Sequence, residues 1–186
     1  GYTKFNYTRI YGGEEQWYKW RSPYQGLKYQ RNELSDQRDD LGSVSYGEKE
    51  VFYLESIETK THIAVFELAD RNFDSFGAES ESDAIDRQKP INPDKLKRLK
   101  KIHLFSRGAL ISPIKRAPYK LSDFKEKALK SVILTYEGDD GDFSKELMKN
   151  APNSASGRGK LTLKSVQTEY NGVARISPYY FDYENP

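Results

Sequence analysis

The residues that could supply an imidazole or a thiolate for catalysis are few in this chain, and none of its 28 Asp and Glu residues stands out as a catalytic pair. It contains two histidines, His62 and His103, and no cysteine, which excludes a disulfide framework, thiolate catalysis and zinc–thiolate sites. Both histidines lie in stretches with strand character, THIAVFEL and IHLF, so we predict that each ring hydrogen-bonds a neighbour or water. A hydrolytic triad also needs a nucleophile turn such as G-x-S-x-G, which the sequence GSVSYG at 42–47 does not match. We therefore expect no enzymatic activity.

The acidic stretch DRNFDSFGAESE, residues 70–81, has the oxygen spacing of a calcium-binding loop. Four oxygen donors occupy positions 1, 3, 5 and 12 of that spacing: Asp70, Asn72, Asp74 and Glu81. Position 6 is Ser75, although the sharp turn of such loops favours glycine there. The alternative is a solvated acidic loop, and residues 69–91 as a whole are predicted to form a long acidic surface loop. Calcium is the only cofactor that the sequence suggests.

An aromatic cluster around residue 20 is the second candidate binding site. It comprises four large rings that are close together in the chain: Trp17, Tyr18, Trp20 and Tyr24. Flat aromatic rings can stack on the apolar faces of sugars, so Trp17, Trp20 and Tyr24 are the predicted sugar-binding residues. The alternative is half-buried packing on a sheet, with one or two rings exposed.

The charges of the chain are nearly balanced, with 30 Lys and Arg against 28 Asp and Glu and a net charge of +2. That balance argues against nucleic acid or an anionic membrane as the partner. The most basic run, KLKRLKK at 95–101, alternates with Leu96 and Leu99, so we interpret it as the solvated side of an amphipathic element. No run of 18 apolar residues occurs, and no transmembrane helix is predicted.

The pattern of residues favours a mostly β fold. Aromatic residues make up 13% of the chain, and they alternate with polar residues as they do on half-buried strands. We predict one β-rich segment over residues 1–186, part of a longer chain, with an antiparallel sheet system and a few short helical turns. A sandwich, an open barrel and a shell-like segment are all compatible with this pattern. In the first strand, within residues 1–10, Phe5 and Tyr7 are predicted to face the core.

Two further segments allow competing interpretations. Residues 44–68 are rich in β-branched and aromatic residues, but the sequence ETK at 58–60 contains neither Gly nor Pro. We therefore predict a long bent strand there rather than a hairpin.

The dipeptide Asn92-Pro93 is typical of a helix start, whereas residues 96–105 also have the alternation of a strand, so both structures remain open for this segment.

Three stretches of the chain are similar to one another. They are LKKIHLFSRG at 99–108, LKSVILTYEG at 129–138 and LKSVQTEYNG at 163–172, which start 30 and 34 residues apart. Each begins Leu-Lys, has a β-branched fourth residue and ends in Gly, so we predict a repeated strand–turn unit within one sheet system. The alternative is three unrelated strands of similar composition.

The clearest local prediction is the final hairpin, in which the dipeptide Asn-Gly at 171–172 suits a tight turn with positive φ. The apolar residues of its first strand change parity near Lys164-Ser165, which predicts a β-bulge. Pro178 predicts that the last strand is at an edge or is irregular, because proline cannot donate to a ladder.

Two long stretches, VSYGEKEVFYLESIETKTHIAVFELADR at 44–71 and GKLTLKSVQTEYNGVARISPYYFDYENP at 159–186, are similar to segments of very large exported bacterial proteins. The opening GYTKFNY is similar to strands of the same proteins. These proteins, many from Bacteroidota, resemble Rhs/YD-repeat polypeptides, although this chain has no Tyr-Asp-x-x-Gly-Arg repeat. The resemblance implies a structural, scaffolding role at the cell surface or outside the cell. It also implies that the partners are the rest of the parent polypeptide or other surface proteins, with glycans added if the aromatic cluster binds sugar.

Overall fold

The computed structural model describes residues 1–14, 16–21, 46–71, 76–77, 92–110, 127–139 and 161–183. Within these ranges nearly all regular structure is antiparallel β, which confirms the predicted fold class. The α-helix in them, α1 (Arg107–Leu110), is a single turn. No helix in this part of the chain is long and apolar enough to cross a membrane.

The main sheet contains eight of the strands. In chain order the described strands are β1 (Thr3–Tyr11), β2 (Tyr18–Arg21), β3 (Tyr46–Lys49), β4 (Val51–Thr59), β5 (His62–Asp70), β6 (Phe76–Gly77), β7 (Asn92–Lys95), β8 (Lys97–Ser106), β9 (Lys130–Tyr136), β10 (Leu163–Tyr170), β11 (Ala174–Arg175) and β12 (Tyr179–Tyr180). The main sheet has the order β1-β4-β5-β8-β9-β10-β11, and β12 also pairs with β10. Two small sheets pair β2 with β3 and β6 with β7. Since β1 and β11 end the path without pairing to each other, the sheet is open.

β4 and β5 form a hairpin, so the prediction of a long bent strand at 44–68 is wrong. Ser56 pairs with Val65 across this hairpin. The turn forms without Gly or Pro because the Thr59 hydroxyl lies 3.1 Å from both the backbone nitrogen and the carbonyl oxygen of His62. A threonine side chain thus supplies hydrogen bonds that a tighter turn would make through its backbone.

The segment that begins at Asn92 is a strand and not a helix. It forms β7 and then β8, which has 10 residues. β8 pairs with β5 over its whole length and with β9 from Lys101 to Leu104. Pairing on both sides outweighs the local helix-start signal, because propensity is a weak prior against tertiary contacts.

The three similar stretches fold as β8, β9 and β10, which are adjacent in the sheet. Their adjacency supports the strand prediction, while the repeated unit itself stays a prediction. The final hairpin is confirmed, with φ of 51° at Asn171 and 70° at Gly172 in its turn. The predicted bulge is present as a register shift between Leu163 and Ser165. The return strand is interrupted around Pro178 and so consists of β11 and β12.

The pairing register assigns the side chains of the main sheet to two faces, because directly opposite residues point the same way. The apolar face carries mainly aliphatic and aromatic residues: Phe5, Ile57, Ala64, Phe66, Ile102, Leu104, Val132, Leu134 and Val166. All of these except Phe5 are half-buried. On the other face, the mixed face, Phe105 is fully buried and packs with Ala128, Ile63 and Val65. The tightest apolar packing of the main sheet therefore lies on the mixed face.

The prediction that Phe5 and Tyr7 face the core is wrong. Phe5 is 53% exposed and Tyr7 is 61% exposed, and Phe52 on the neighbouring strand is 52% exposed. The strand pattern itself is correct, since both residues lie on one side of β1. Which side of an outer strand becomes covered depends on the elements that pack there, and this information is absent from the local pattern.

Candidate functional site: a polar row across the sheet

A row of mostly polar side chains crosses the mixed face from one end of the main sheet to the other. The register places seven residues opposite one another on seven neighbouring strands, and we call them the polar row: Asn6, Ser56, Val65, His103, Ser131, Glu169 and Arg175. His103 and Ser131 are each 3% exposed, and Glu169 is 9% exposed. Polar groups that leave water to this degree are tolerated only when they are hydrogen-bonded.

His103 connects three strands at the centre of the polar row. Its Nδ1 lies 2.8 Å from the Oγ of Ser131 on β9, and its Nε2 lies 3.1 Å from the Oε2 of Glu67 on β5. An ionised carboxylate can only accept, so Nε2 carries the proton and donates to Glu67. In the neutral ring Nδ1 is then the acceptor, and the Ser131 hydroxyl donates to it. Both ring nitrogens are satisfied by protein groups.

Glu67 lies two residues along β5 from the polar row and reaches back to it. Its side chain is 13% exposed, and its other carboxylate oxygen lies 3.8 Å from the Lys100 Nζ. Lys100 is the residue skipped where the register between β5 and β8 shifts. This irregularity brings a cation to the carboxylate, which offsets part of the cost of removing the negative charge from water.

The two ends of the polar row are paired as well. On β1, the Asn6 Nδ2 donates to the Ser56 Oγ at 2.9 Å and to the Glu58 Oε1 at 2.7 Å. Across the final turn, the Arg175 Nε donates to the Glu169 Oε2 at 2.7 Å. These contacts join β1 to β4 and β10 to β11, so the row favours one register of the strands over slipped alternatives.

Serine, histidine and a carboxylate are the groups of a hydrolytic triad, so their proximity raises the question of catalysis. A nucleophilic serine must be reached by substrate and must lie beside donors that stabilise an oxyanion. Ser131 is 3% exposed and lies inside β9, which is paired with β8 on one side and with β10 on the other. The neighbouring backbone N–H groups are therefore committed to the ladders. The arrangement fits a buried hydrogen-bond network that aligns strands better than it fits a hydrolytic site.

The second histidine is not part of this network. His62 begins β5, is exposed, and is opposite Ser106. Its Nδ1 lies 2.9 Å from the Thr61 Oγ1. Both histidine rings therefore hydrogen-bond a neighbour, as the sequence predicts, and the fold does not bring the two rings together.

Two of the three predicted sugar-binding residues, Trp17 and Trp20, are described, while Tyr24 lies outside the described ranges. Trp17 is 39% exposed, and its Nε1 donates to the Gly13 carbonyl oxygen at 3.1 Å. Trp20 is half-buried on β2, opposite Gly47 of β3. Of these two rings, Trp17 offers the clearer surface for stacking.

Tyr18, between the two tryptophans in sequence, packs inside the protein. It is 3% exposed, and its ring centroid lies 5.5 Å from that of Tyr11. The Lys49 Nζ lies 5.3 Å from the same centroid. Tyr18 is therefore packed in the interior, as the alternative interpretation of the aromatic cluster predicts.

The predicted calcium ligands fall mainly outside the described residues, which include Asp70 but not Asn72, Asp74 or Glu81. Asp70 ends β5, and its carboxylate forms an ion pair with the Lys97 ammonium group opposite it. Within the described ranges, no group of three or more His, Cys, Asp or Glu residues is placed to hold a metal ion. The calcium site stays a prediction, which a calcium-dependent rise in melting temperature that is lost in Asp70→Asn would test.

A second polar cluster stabilises the ends of β8 and β9. Arg98 forms an ion pair with Asp139 through both guanidinium Nη atoms, and its Cζ lies 4.9 Å from the ring centroid of Tyr136. The Tyr136 backbone N–H donates to the Asp139 Oδ2, and the Tyr136 hydroxyl donates to the Leu99 carbonyl oxygen, both at 2.9 Å. Burial raises the pKa of the Tyr136 phenol, and the nearby Arg98 charge opposes this effect. These contacts hold the ends of β8 and β9 together.

Sequence reasoning found His103 but missed its partners. The sequence does contain a signal for these partners. Each of the three polar residues lies within a strand next to an apolar residue: Glu67, His103 and Ser131. The pairs could not be chosen, however, since Ser131 and Glu67 lie 28 and 36 residues away from His103 in the chain. The order of the strands had to be known first.

Comparison with known proteins gives no match to a family model, to a curated protein or to a solved structure. The function must therefore be inferred from the open sheet, the buried polar row and the exposed side chains at the ends of the sheet.

Proposed function

We propose that this chain is a non-catalytic structural segment of a large exported bacterial surface protein, in which it continues a sheet or an Rhs-like shell. The observation that carries the proposal is the open main sheet, whose two ends leave large apolar side chains exposed. Six aromatic residues near these ends are more than half exposed: Tyr2, Phe5, Tyr7, Phe52, Tyr179 and Tyr180. Exposed apolar side chains at the ends of an open sheet are typical of surfaces that other elements cover.

The small apolar core supports the same function. Among the described residues four apolar side chains are buried: Tyr18, Phe105, Ala128 and Tyr136. Twelve large hydrophobic side chains in the same ranges are exposed. Since burial stabilises in proportion to the apolar area removed from water, neighbouring strands of a parent polypeptide that cover these residues would stabilise the segment further.

The polar row supports a structural role without catalysis. Ser131 and His103 are each 3% exposed and lie on paired strands, so neither side chain is presented at the surface of the described part of the chain. Their hydrogen bonds fix the register of β5, β8 and β9, which a segment that continues a larger sheet requires. The resemblance of residues 44–71 and 159–186 to segments of exported bacterial proteins supports a location at the cell surface or outside the cell.

The direct test of this function is the sequence on both sides of the segment in its parent gene. The proposal expects an export signal and further strand-rich segments there, and it expects an antibody against this segment to label intact cells. A parent gene that encodes an intracellular enzyme without an export signal would overturn the proposal.

A carbohydrate-binding module is the second candidate function, and the exposure of Trp17 favours it. The indole N–H is already bonded to Gly13, so this side chain offers its ring for stacking rather than a free donor. A glycan array with the wild type, Trp17→Ala and Trp20→Ala separates the two functions. Sugar binding that either substitution abolishes supports the module, whereas an array without binding supports the scaffold.

A further inference from the structure

The two ends of the main sheet differ in how their outer backbone groups are used. At the β10 end, β11 and β12 pair with β10. Ile176 lies between these two strands, and its N–H group donates to the Thr168 carbonyl oxygen at 3.0 Å. Phe181 follows β12, and its N–H group donates to the Lys164 carbonyl oxygen at 3.0 Å. Pro178 interrupts the covering segment, so this segment does not offer a continuous edge to a further strand.

At the opposite end, β1 has nine residues and contains neither Pro nor Gly. It pairs with β4 on one side, and within the described ranges no strand pairs with its other side. A long edge strand without these interruptions is a template for pairing with another strand.

The side chains of this end extend the apolar face to the edge of the sheet. We call Phe5, Tyr7 and Phe52 the aromatic strip. Phe5 is opposite Ile57, a member of the apolar face, and Tyr7 follows on the same side of β1. All three rings are more than half exposed. A further strand with apolar residues on that side would pack against Phe5 and Tyr7, the two members of the strip that lie on β1.

The charges of β1 indicate the kind of strand that fits. Its charged residues are Lys4 and Arg9, and it contains no Asp or Glu. Glu58 is opposite Lys4, and the Glu50 Oε1 lies 3.8 Å from the Arg9 Nη1. β4 and the residue that precedes it thus supply three glutamates on the inner side of β1: Glu50, Glu55 and Glu58. A second copy of β1 would instead bring more cations and no anion.

We propose that the outer edge of β1 binds an extended strand that places apolar residues beside Phe5 and Tyr7 and a glutamate or aspartate beside each of Lys4 and Arg9, and that this strand belongs to another part of the parent polypeptide. This inference rests on the proposed scaffold function, because the parent chain supplies the strand. Backbone pairing gives the affinity, apolar residues pack against Phe5 and Tyr7, and carboxylates meet Lys4 and Arg9. The sheet is then extended at β1 and not at the β10 end.

The test uses a fluorescent synthetic peptide, EVFYLESIET, which has the sequence of residues 50–59 and the required chemistry. The peptide is titrated against the folded protein, and amide hydrogen exchange is recorded with and without it. The expected result is saturable binding, with slower exchange in β1 and unchanged exchange in β11 and β12. A control peptide with lysine in place of its three glutamates should bind about tenfold more weakly, because cross-strand charge pairs are lost.

Matched variants of the protein locate the binding edge. Phe5→Lys with Tyr7→Lys should weaken peptide binding about tenfold, because the covered apolar strip is lost. Tyr179→Lys with Tyr180→Lys changes an exposed aromatic pair at the other end and should keep the wild-type affinity. All four side chains are exposed, so both variants are expected to fold, and circular dichroism checks this.

A charge exchange provides a second and independent readout. In Lys4→Glu with Arg9→Glu, the lysine peptide should bind better than the glutamate peptide, which reverses the wild-type preference. An unchanged preference would contradict the role given to the two cations.

Lack of peptide binding, or slower exchange in an element other than β1, would overturn the inference. Dimerisation that Phe5→Lys with Tyr7→Lys abolishes would also overturn it, since a second copy would then occupy the edge. If the parent gene has an export signal and further strands but no peptide binds, the scaffold function stands without this edge. If the peptide binds at β1 but the parent gene encodes an unrelated intracellular protein, the edge site stands and the scaffold function fails.

Discussion

The centre of the main sheet and its β1 end use their side chains in opposite ways. In the centre, the side chains of His103 and Ser131 are buried and hydrogen-bonded to each other. At the β1 end, the rings of the aromatic strip are exposed. The buried, hydrogen-bonded side chains of the centre are therefore expected to stabilise the fold more than the exposed rings of the β1 end.

The largest expected difference in stability is between two phenylalanines, one in the centre of the sheet and one at its β1 end. Phe105 is fully buried, so Phe105→Ala should lower the free energy of unfolding by about 3–5 kcal/mol through lost burial and a residual cavity. Phe5 is 53% exposed, and Phe5→Ala should change the free energy of unfolding by about 0.5 kcal/mol or less. Urea unfolding measures both values. Similar losses in the two variants would mean that the β1 end is part of the stabilising core.

The two histidines provide the next contrast. His103→Ala leaves the Glu67 carboxylate and the Ser131 hydroxyl without their shared partner, and it should cost about 3 kcal/mol of stability. His62 is exposed, so His62→Ala should cost about 0.5 kcal/mol or less. The same urea titrations decide this prediction. A small effect of His103→Ala would show that the polar row does not hold the centre together.

Two glycines test how the β10 end is closed. Gly172 has a φ of 70°, which is unfavourable for a residue with a Cβ, so Gly172→Ala should cost about 1–2 kcal/mol. Gly108 is the control, because a Cβ added there meets no atom within 4 Å and its φ is not in the left-handed region. Hydrogen exchange of Gly172→Ala should also become faster in β11 and β12. If exchange there is unchanged, the final turn does not hold the covering segment in place.

The smallest predicted effect is a pH dependence that arises at the end of β9. Because burial raises the pKa of Tyr136 above its unfolded value of 10.0, its contribution to stability is complete below pH 10 and is lost as the pH rises through the folded-state pKa. Unfolding free energies measured from pH 8 to 11 should therefore fall more steeply in the wild type than in Tyr136→Phe. Tyr7→Phe, at the exposed end, is the control and should keep the wild-type slope. Equal slopes in all three proteins would remove Tyr136 as the cause.

The sequence predicts the local features of the fold well. The final hairpin follows from Asn171-Gly172, and the bulge near Ser165 follows from a change in parity of the apolar residues. Both depend on residues close together in the chain. The hairpin between β4 and β5 was missed because its turn uses the Thr59 side chain, which does not stand out in the sequence as Gly or Pro does.

The features that depend on distant residues could not be predicted. The exposure of Phe5 depends on which elements cover β1, and a strand pattern looks the same whether a given side is covered or open. The polar row requires the strand order β5-β8-β9-β10 and the register of each pair, so His103 was recognised without Glu67 or Ser131. The candidate sites named from the sequence depend on residues such as Tyr24 and Asn72, which lie outside the described ranges, and both sites stay predictions.

The most direct test of the scaffold function compares hydrogen exchange of this segment alone and within its parent polypeptide. In the isolated segment, we expect slow exchange in β8, β9 and β10 and faster exchange along the outer edge of β1. In the parent polypeptide, exchange in β1 should become slow, while exchange in β8 to β10 stays as it is. Exchange in β1 that is equally fast in both proteins would contradict the account, because no strand would then continue the sheet at that edge.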